Sequence, residues 1–399
     1  MKFKLNKKCI CCKKVPSKKK NSISLKKLPI TDLFVKNSKS LKGYSLDQDI
    51  IFCNCCEHMF LKNHIAPEYI YNQDYGLSSS KTYSSIQANE DFFNFINSNL
   101  GKSNIKKIIE VGSNDLYLLK KFYKKNRSLV GIDPVVKRDK EYTKIKVIKK
   151  FFNKVDNKKI GRDSDLIICG HTLEHVENPD FFIKKILSIS EKKTKIFFQF
   201  PSLESLISNM SFDQIHHQHL NYFSLNSFNK ILKKYGGKVI NYAFNEFHYG
   251  ALMIYFTLNS SKKKTRKKIN LLPKINFIQV SEAYNNFKNH LKSQEKTINN
   301  YLKRKRKFYV VAAGALLPIL NYHMNGIINK ANGILDDDRN KIGKYFPNIN
   351  TKILQMKNTS LKGSVCLIGC VHSHVTTRKI ISILTQKRAE IILLPTITF

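Results

Sequence analysis

The sequence predicts an α/β fold: a twisted, largely parallel sheet with crossover helices, a small cysteine-bearing module before it and a second, smaller α/β unit after it. Three observations carry this expectation. Between residues 105 and 258, short β-rich apolar runs alternate with helical stretches, the pattern of a parallel sheet with crossovers. Six of the nine cysteines fall in two knots, CICC at 9–12 and CNCC at 53–56. A lysine-rich break at 261–268 interrupts the alternation, which resumes from Phe308.

The bulk properties agree. A chain of 399 residues exceeds one comfortable core and predicts two or three domains. With 42% apolar and 25% charged residues it has material for buried cores and lacks the signature of wholesale disorder. Its longest apolar stretch, 310–320, falls far short of the roughly 18 residues of a membrane span. The start, MKFKLNKKC, runs into cysteines and lysines instead of an apolar signal core, so a cytoplasmic protein without a membrane segment is expected. The net charge of +41 attracts phosphate-bearing partners of any kind. Only nine of the 70 basic residues are Arg, the side chain that reads phosphates and base edges bidentately, which favours a general basic surface over a nucleic-acid groove.

Taken in order, residues 1–70 have little periodic apolar structure and cannot build a large core alone; a structural metal would explain how they fold. An amphipathic helix is expected at 89–100. Strands follow at 107–111, 129–133, 144–148, 165–169, 195–200, 238–244 and 252–258. Residues 280–301 read as a long polar helix that connects. Beyond it come a strand at 308–312, a Gly turn, a helix, strands at 333–336 and 364–368, and a helix from Val375. The expected domains are therefore a zinc-binding module at 1–70, a core at 71–260, a basic linker with connecting helix at 261–306, and a carboxyl-terminal domain at 307–399.

Four constellations bear chemistry. The pairs Cys9/Cys12 and Cys53/Cys56 can supply four thiolates to a tetrahedral zinc with no open position, a structural rather than catalytic site; Cys11 and Cys55 are spare neighbours. In IIEVGSNDLYLLKKF at 108–122, Glu110 and Gly112 end a buried strand and a helix opens, and the next strand ends in GIDP with Asp133. Small residues at such a turn let a ligand approach the backbone, and an acid at the end of the second strand accepts hydrogen bonds from ribose hydroxyls. Together these indicate an adenosine-containing cofactor. The run HTLEH at 171–175 also matches the H-x-x-E-H pattern of inverted zinc peptidases, which requires a helix, whereas here it follows a strand. Finally, FDQIHHQHLNYFS at 212–224 gathers His216, His217 and His219, a cluster suited to proton transfer, to metal binding or to loop packing.

These residues together resemble a family of bacterial S-adenosylmethionine-dependent C-methyltransferases that modify nucleotide-linked deoxysugars. The resemblance rests on the cysteine pairs, E-x-G-S-N-D at 110–115, GIDP at 131–134, EHV at 174–176, the histidine run at 212–224 and LDDDRNKIGKYFPN at 335–348. It implies a zinc-binding amino-terminal module, a class I methyltransferase core with a Rossmann-like sheet, and a second, carboxyl-terminal Rossmann-like domain. It also implies that Glu110, Gly112, Ser113, Asn114 and Asp133 line the cofactor site, that His219 is the leading base with His216 and His217 beside it, that His175 sits near the reacting methyl, and that Tyr75 lies at the sugar. The sequence departs from the family at three positions: His216 replaces a tyrosine, Gln218 a glutamate and Leu116 a glycine. An O- or N-methyltransferase and a zinc-knuckle nucleic-acid-binding protein, using KRKRK at 303–307, are the competing expectations.

Overall fold

The computed structural model describes residues 3–16, 21–31, 33–36, 45–71, 78–136, 145–258, 271–369 and 374–395. They divide into two compact units. The first holds Met1–Ser22, Ile50–Glu204 and Gln218–Phe277; the second holds Ile23–Asp49, Ser205–His217 and Ile278–Phe399. This division cuts across the expected module at 1–70, whose residues 23–49 belong to the second unit.

The first unit is built on seven strands: β1 (Lys107–Val111), β2 (Ser128–Ile132), β3 (Ile145–Ile148), β4 (Leu166–Gly170), β5 (Lys195–Phe200), β6 (Gly237–Asn245) and β7 (Ala251–Leu258). Their order across the sheet is β3-β2-β1-β4-β5-β7-β6. β7 runs antiparallel to both β5 and β6, while the pairs from β3 through β5 are parallel. A reversal of strand order at β1 and β4, with one antiparallel strand inserted near the far edge, is the class I methyltransferase arrangement and makes the carboxyl ends of β1 and β4 the ligand-binding edge. The central strands read as unbroken apolar runs because both faces are covered. Ile109, Ile167 and Phe198 face one buried cluster, and their neighbours Ile108, Ile168 and Phe197 face the other, with Phe92 and Ile96 of the helix Tyr83–Leu100.

The amino-terminal pieces of this unit are richer in strands than expected. The strand Ser45–Cys53 turns at the second cysteine knot into His58–Leu61, with Cys53 opposite His58, and His58–Leu61 pairs on with Asn221–Tyr222. Cys9, Cys53, Cys56 and Phe60 share the buried cluster of Phe200, Phe223 and Phe228, so the cysteine module rests on one face of the methyltransferase sheet.

The second unit carries five parallel strands, β8 (Phe308–Val311), β9 (Gly333–Asp336), β10 (Ile353–Gln355), β11 (Val365–Ile368) and β12 (Ile391–Leu393), in the order β10-β9-β8-β11-β12. This is a second Rossmann-like sheet with its own core of Tyr309, Val311, Leu335, Cys366 and Leu384. Residues 23–49 join it through Phe34, whose ring lies tilted against Phe346 at 4.9 Å between centroids, and the bridge between Val35 and Tyr345. The helix expected as a connector spans Phe277–Lys303 and buries Val280, Tyr284, Phe287, Leu291 and Ile298, a stripe at helical spacing. Phe212 packs on its Tyr284 and Phe287 at 5.4 and 5.9 Å. No helix among the described residues is long and apolar enough to cross a membrane.

Candidate active site

At the carboxyl end of β1 the backbone turns through Gly112, whose φ is +78°, and Asn114, at +44°. A Cβ on Gly112 would stand 1.8 Å from Thr172 Oγ1, so only glycine fits. Gly112 N donates to Ile132 O at 2.8 Å and Asn114 N to Asp133 Oδ2 at 3.0 Å, while Asp133 Oδ1 accepts from Val135 N at 2.8 Å. These bonds tie the end of β2 to the turn after β1. The segment 78–80 closes over it: Ser79 N donates to Asn114 Oδ1 at 3.2 Å, Ser80 N and Oγ donate to Asp115, and Ser78 Oγ joins them. Burial pushes Asp115 up, but those hydrogen bonds outweigh it and hold the carboxyl below its ordinary value.

Glu110 and Asp133 are both buried, and burial raises both carboxyls above the usual range, Glu110 well above, with the charge of Asp133 adding to the effect. Glu110 Oε2 and Ser113 Oγ are buried without a hydrogen-bond partner. Orphaned acceptors at this turn are the features that an adenosyl amino acid, rich in amine and hydroxyl donors, satisfies. Glu110, Gly112, Ser113, Asn114 and Asp133 thus come together as one cradle that fits that cofactor.

β4 delivers the second half of the site. After Gly170, His171 takes φ +45° and a one-turn 3-10 helix, Leu173–His175, follows. HTLEH therefore does not lie along an α-helix, and His171 and His175 do not share a helical face as the peptidase pattern demands. Glu174 is almost wholly buried; His171 Nδ1 lies 3.2 Å and His175 Nε2 3.8 Å from its Oε1. His175 Nδ1 donates to Gln218 O at 2.9 Å, and its ring meets His219 at 5.0 Å and Tyr71 at 5.6 Å between centroids. The cradle and the histidines are contiguous, because His175 N donates to Thr172 O at 3.1 Å.

The three clustered histidines fall on both sides of the division. His219 belongs to the first unit, with His175; His216 and His217 belong to the second. There His216 Nδ1 lies 3.3 Å from Thr31 Oγ1, and His217 is held by Leu28 O at 3.0 Å and by the Gln48 amide at 3.4 Å. Burial lowers the His217 pKa, favouring its neutral form. Tyr75 lies outside the described residues. Residues not singled out from the sequence complete the site: Thr172, Gln199, Asn245 and Tyr71. They come from four separate segments, and no motif links them.

The cysteine knots also converge. Cys9 N donates to Lys14 O and Lys13 N to Cys9 O, both at 2.8 Å, and Glu57 N donates to Cys53 O at 2.8 Å, forming two knuckles with Lys13 and Glu57 at positive φ. The Sγ atoms of Cys9, Cys12, Cys53 and Cys56 all lie within 4.8 Å of one another, with Cys9–Cys56 at 3.4 Å and Cys12–Cys53 at 3.5 Å. Thiolates ~2.3 Å from a tetrahedral zinc stand ~3.8 Å apart, so this spacing fits. The neighbouring thiols of Cys11, Cys53 and Cys56 stabilise a thiolate at Cys9. Of the spare cysteines, Cys11 is buried beside Cys9 and His58, whereas Cys55 is exposed and meets Lys230 at 3.6 Å.

The family model described as "Methyltransferase domain" matches residues 85–242. The chain is 23% identical over 215 residues to the C-methyltransferase NovU of Streptomyces niveus, covering 52% of this chain and 50% of that protein. It thus spans about half the length of the curated relative it matches. Similar solved structures include the 1,6-didemethyltoxoflavin-N1-methyltransferase of Burkholderia thailandensis with bound S-adenosylhomocysteine (9% identity, 43% of this chain and 79% of that one, TM-score 0.35). Another is the magnesium protoporphyrin IX methyltransferase of Synechocystis with bound S-adenosylmethionine (10% identity, 46% and 88%, TM-score 0.33). The sheet order and the matched segment agree: the chain is built around an S-adenosylmethionine-dependent methyltransferase domain of class I fold.

Proposed function

We propose that the chain is a C-methyltransferase acting on a nucleotide-linked deoxy-ketosugar through base-assisted enolate formation. The observation that carries this reading is the contiguity of cradle and histidines, with Thr172 against Gly112 and bonded to His175, whose ring faces His219. S-adenosylmethionine supplies an electrophilic methyl on its sulfonium. Glu110, Gly112, Ser113, Asn114 and Asp133 hold that cofactor, Asp133 accepting from ribose hydroxyls with the lone pairs its backbone donors leave over.

A carbon beside a ketone becomes nucleophilic only when a proton leaves, and His219 is the group that removes it. His175 donates its Nδ1 proton to Gln218 O, and its Nε2 lies 3.8 Å from Glu174 Oε1. Polar groups beside His219 stabilise the developing enolate oxygen. Gln218 stands where the resembling family has a glutamate; Glu174 supplies the pair with a carboxylate from the other side. Tyr75 is assigned to the sugar, and His216 and His217 to support of the loop that carries His219. A structural zinc on Cys9, Cys12, Cys53 and Cys56 fixes the module against the sheet.

The test is cofactor-dependent mass gain across a panel of nucleotide-linked ketosugars, paired with exchange of the substrate C–H proton in deuterated water without cofactor. Mass gain with no such exchange moves the reading to O- or N-methylation. Salt-sensitive RNA binding with no affinity for S-adenosylhomocysteine moves it to a nucleic-acid-binding protein.

A further inference from the structure

We propose that Glu174, His175 and His219 form a second divalent-cation site, for zinc or a similar first-row ion, whose occupancy silences proton transfer. One ligand atom from each of the three lies within 4.8 Å of the others, and two imidazoles with one carboxylate are a donor set suited to such ions. The second observation is the carboxylate itself: Glu174 is 1% exposed, and its Oε2 has no hydrogen-bond partner.

The hydrogen bonds around these side chains aim them at a cation. Asn245 Nδ2 donates to Ala88 O and to Gln199 Oε1, each at 2.8 Å. That orientation turns the Gln199 amide nitrogen toward His171 Nε2, 2.7 Å away, which therefore accepts. His171 then carries its proton on Nδ1 and donates it to Glu174 Oε1 at 3.2 Å. The carboxylate is pinned through Oε1, the oxygen that also lies 3.8 Å from His175 Nε2. His175 is pinned in the same manner, since its Nδ1 proton goes to Gln218 O at 2.9 Å and its Nε2 lone pair faces Glu174. A lone pair opposite a carboxylate repels it unless a positive charge lies between them. Outer hydrogen bonds to a carbonyl and to a carboxylate are how metal-binding histidines and acids are held elsewhere.

A metal ion held by the three side chains supplies that charge. Without the ion, His219 is the group that takes the substrate proton. With the metal ion, the lone pairs of His175 and His219 are both engaged, and no base remains. The silencing rests on His219 being the base; the binding does not.

The test starts from zinc-loaded protein, with the thiolate site filled, and adds Co2+. One further equivalent is expected, with the visible d–d absorption of nitrogen and oxygen ligands and no thiolate charge-transfer band. Glu174→Gln and His175→Asn each should weaken it by at least about tenfold, and Gln199→Leu, which frees the outer bond, by roughly 10–100-fold. Each variant should retain its thiolate-bound zinc, which reports that it has folded. Absence of a second equivalent at millimolar Co2+, or equal affinity in all three variants, would overturn the site. Methyl transfer to an active sugar should fall in proportion to occupancy; full rate at full occupancy would overturn the silencing. A protein that binds the second ion but methylates no sugar keeps the metal site and fails only the functional reading.

Discussion

Gly112→Ala offers the sharpest test of the cofactor cradle. The new methyl must occupy a position 1.8 Å from Thr172 Oγ1, 2.9 Å from its Cβ and 3.1 Å from its Cγ2, on a backbone at φ +78°. Two costs combine: about 1–2 kcal/mol for a side chain at left-handed φ and about 1–3 kcal/mol for overpacking. A total of about 2–5 kcal/mol corresponds to a fall in Tm of roughly 5–15 °C for a unit of about 150–250 residues. Because the turn must shift to relieve the clash, S-adenosylhomocysteine affinity by calorimetry should drop about tenfold or more, equivalent to ~1.4 kcal/mol. Adding Thr172→Ala removes the contacts at 1.8 and 3.1 Å but leaves the one at 2.9 Å and the dihedral. The double variant should therefore regain about 1–2 kcal/mol and remain below the parent. A Gly112→Ala protein within about 0.5 kcal/mol of the parent, or a double variant with no recovery, would refute the argument that Thr172 closes this space.

Four further outcomes are expected. Asp133→Ala should weaken cofactor binding in calorimetry and, by stripping the acceptor from Asn114 N and Val135 N, cost about 1–3 kcal/mol in chemical denaturation. His219→Asn should abolish turnover while S-adenosylhomocysteine affinity stays within a factor of about two; full rate would reassign the base. Replacing Cys53 and Cys56 together by Ser should remove one equivalent of zinc by metal analysis and lower Tm. Burial raises the Asp213 pKa from 3.8 to about 7. The folded state then binds more protons than the unfolded chain between those values, so this residue's contribution to stability falls as pH rises from 3.8 to about 7 and levels off above. In Asp213→Asn that part of the pH dependence of Tm should be missing.

Much of the methyltransferase sheet was legible from the residues. β1 and β5 span 107–111 and 195–200, as expected, and the other five strands shift by a residue or so, because strands buried on both faces leave apolar runs with abrupt ends. The amino-terminal strands were not legible: Ser22–Pro29 interleaves lysines with its apolar positions. β10 and β12, three residues each, are too short to show a period. The glycine turn and Asp133 were readable because their spacing is local. The histidine run reads as one cluster because it is compact along the chain. The groups that hold His216 and His217 lie 185, 169 and 189 residues away in the chain, and proximity along the sequence put one label on residues with different surroundings. Glu174 was visible in HTLEH and in EHV; the chain of amides from Asn245 through Gln199 that orients its partner His171 leaves no local trace.

Leu116 illustrates how the turn can survive a change of lettering. It stands where the resembling family has glycine, yet it keeps the left-handed φ of +65° and is buried. A Cβ on Gly131, in the adjoining β2, would come within 2.7 Å of its Cδ2. The bulk of Leu116 is thus accommodated by the bareness of Gly131. Restoring glycine at 116 alone would relax the dihedral and leave a hollow beside β2. A text search for a glycine-rich fingerprint passes over this segment, although its contour persists.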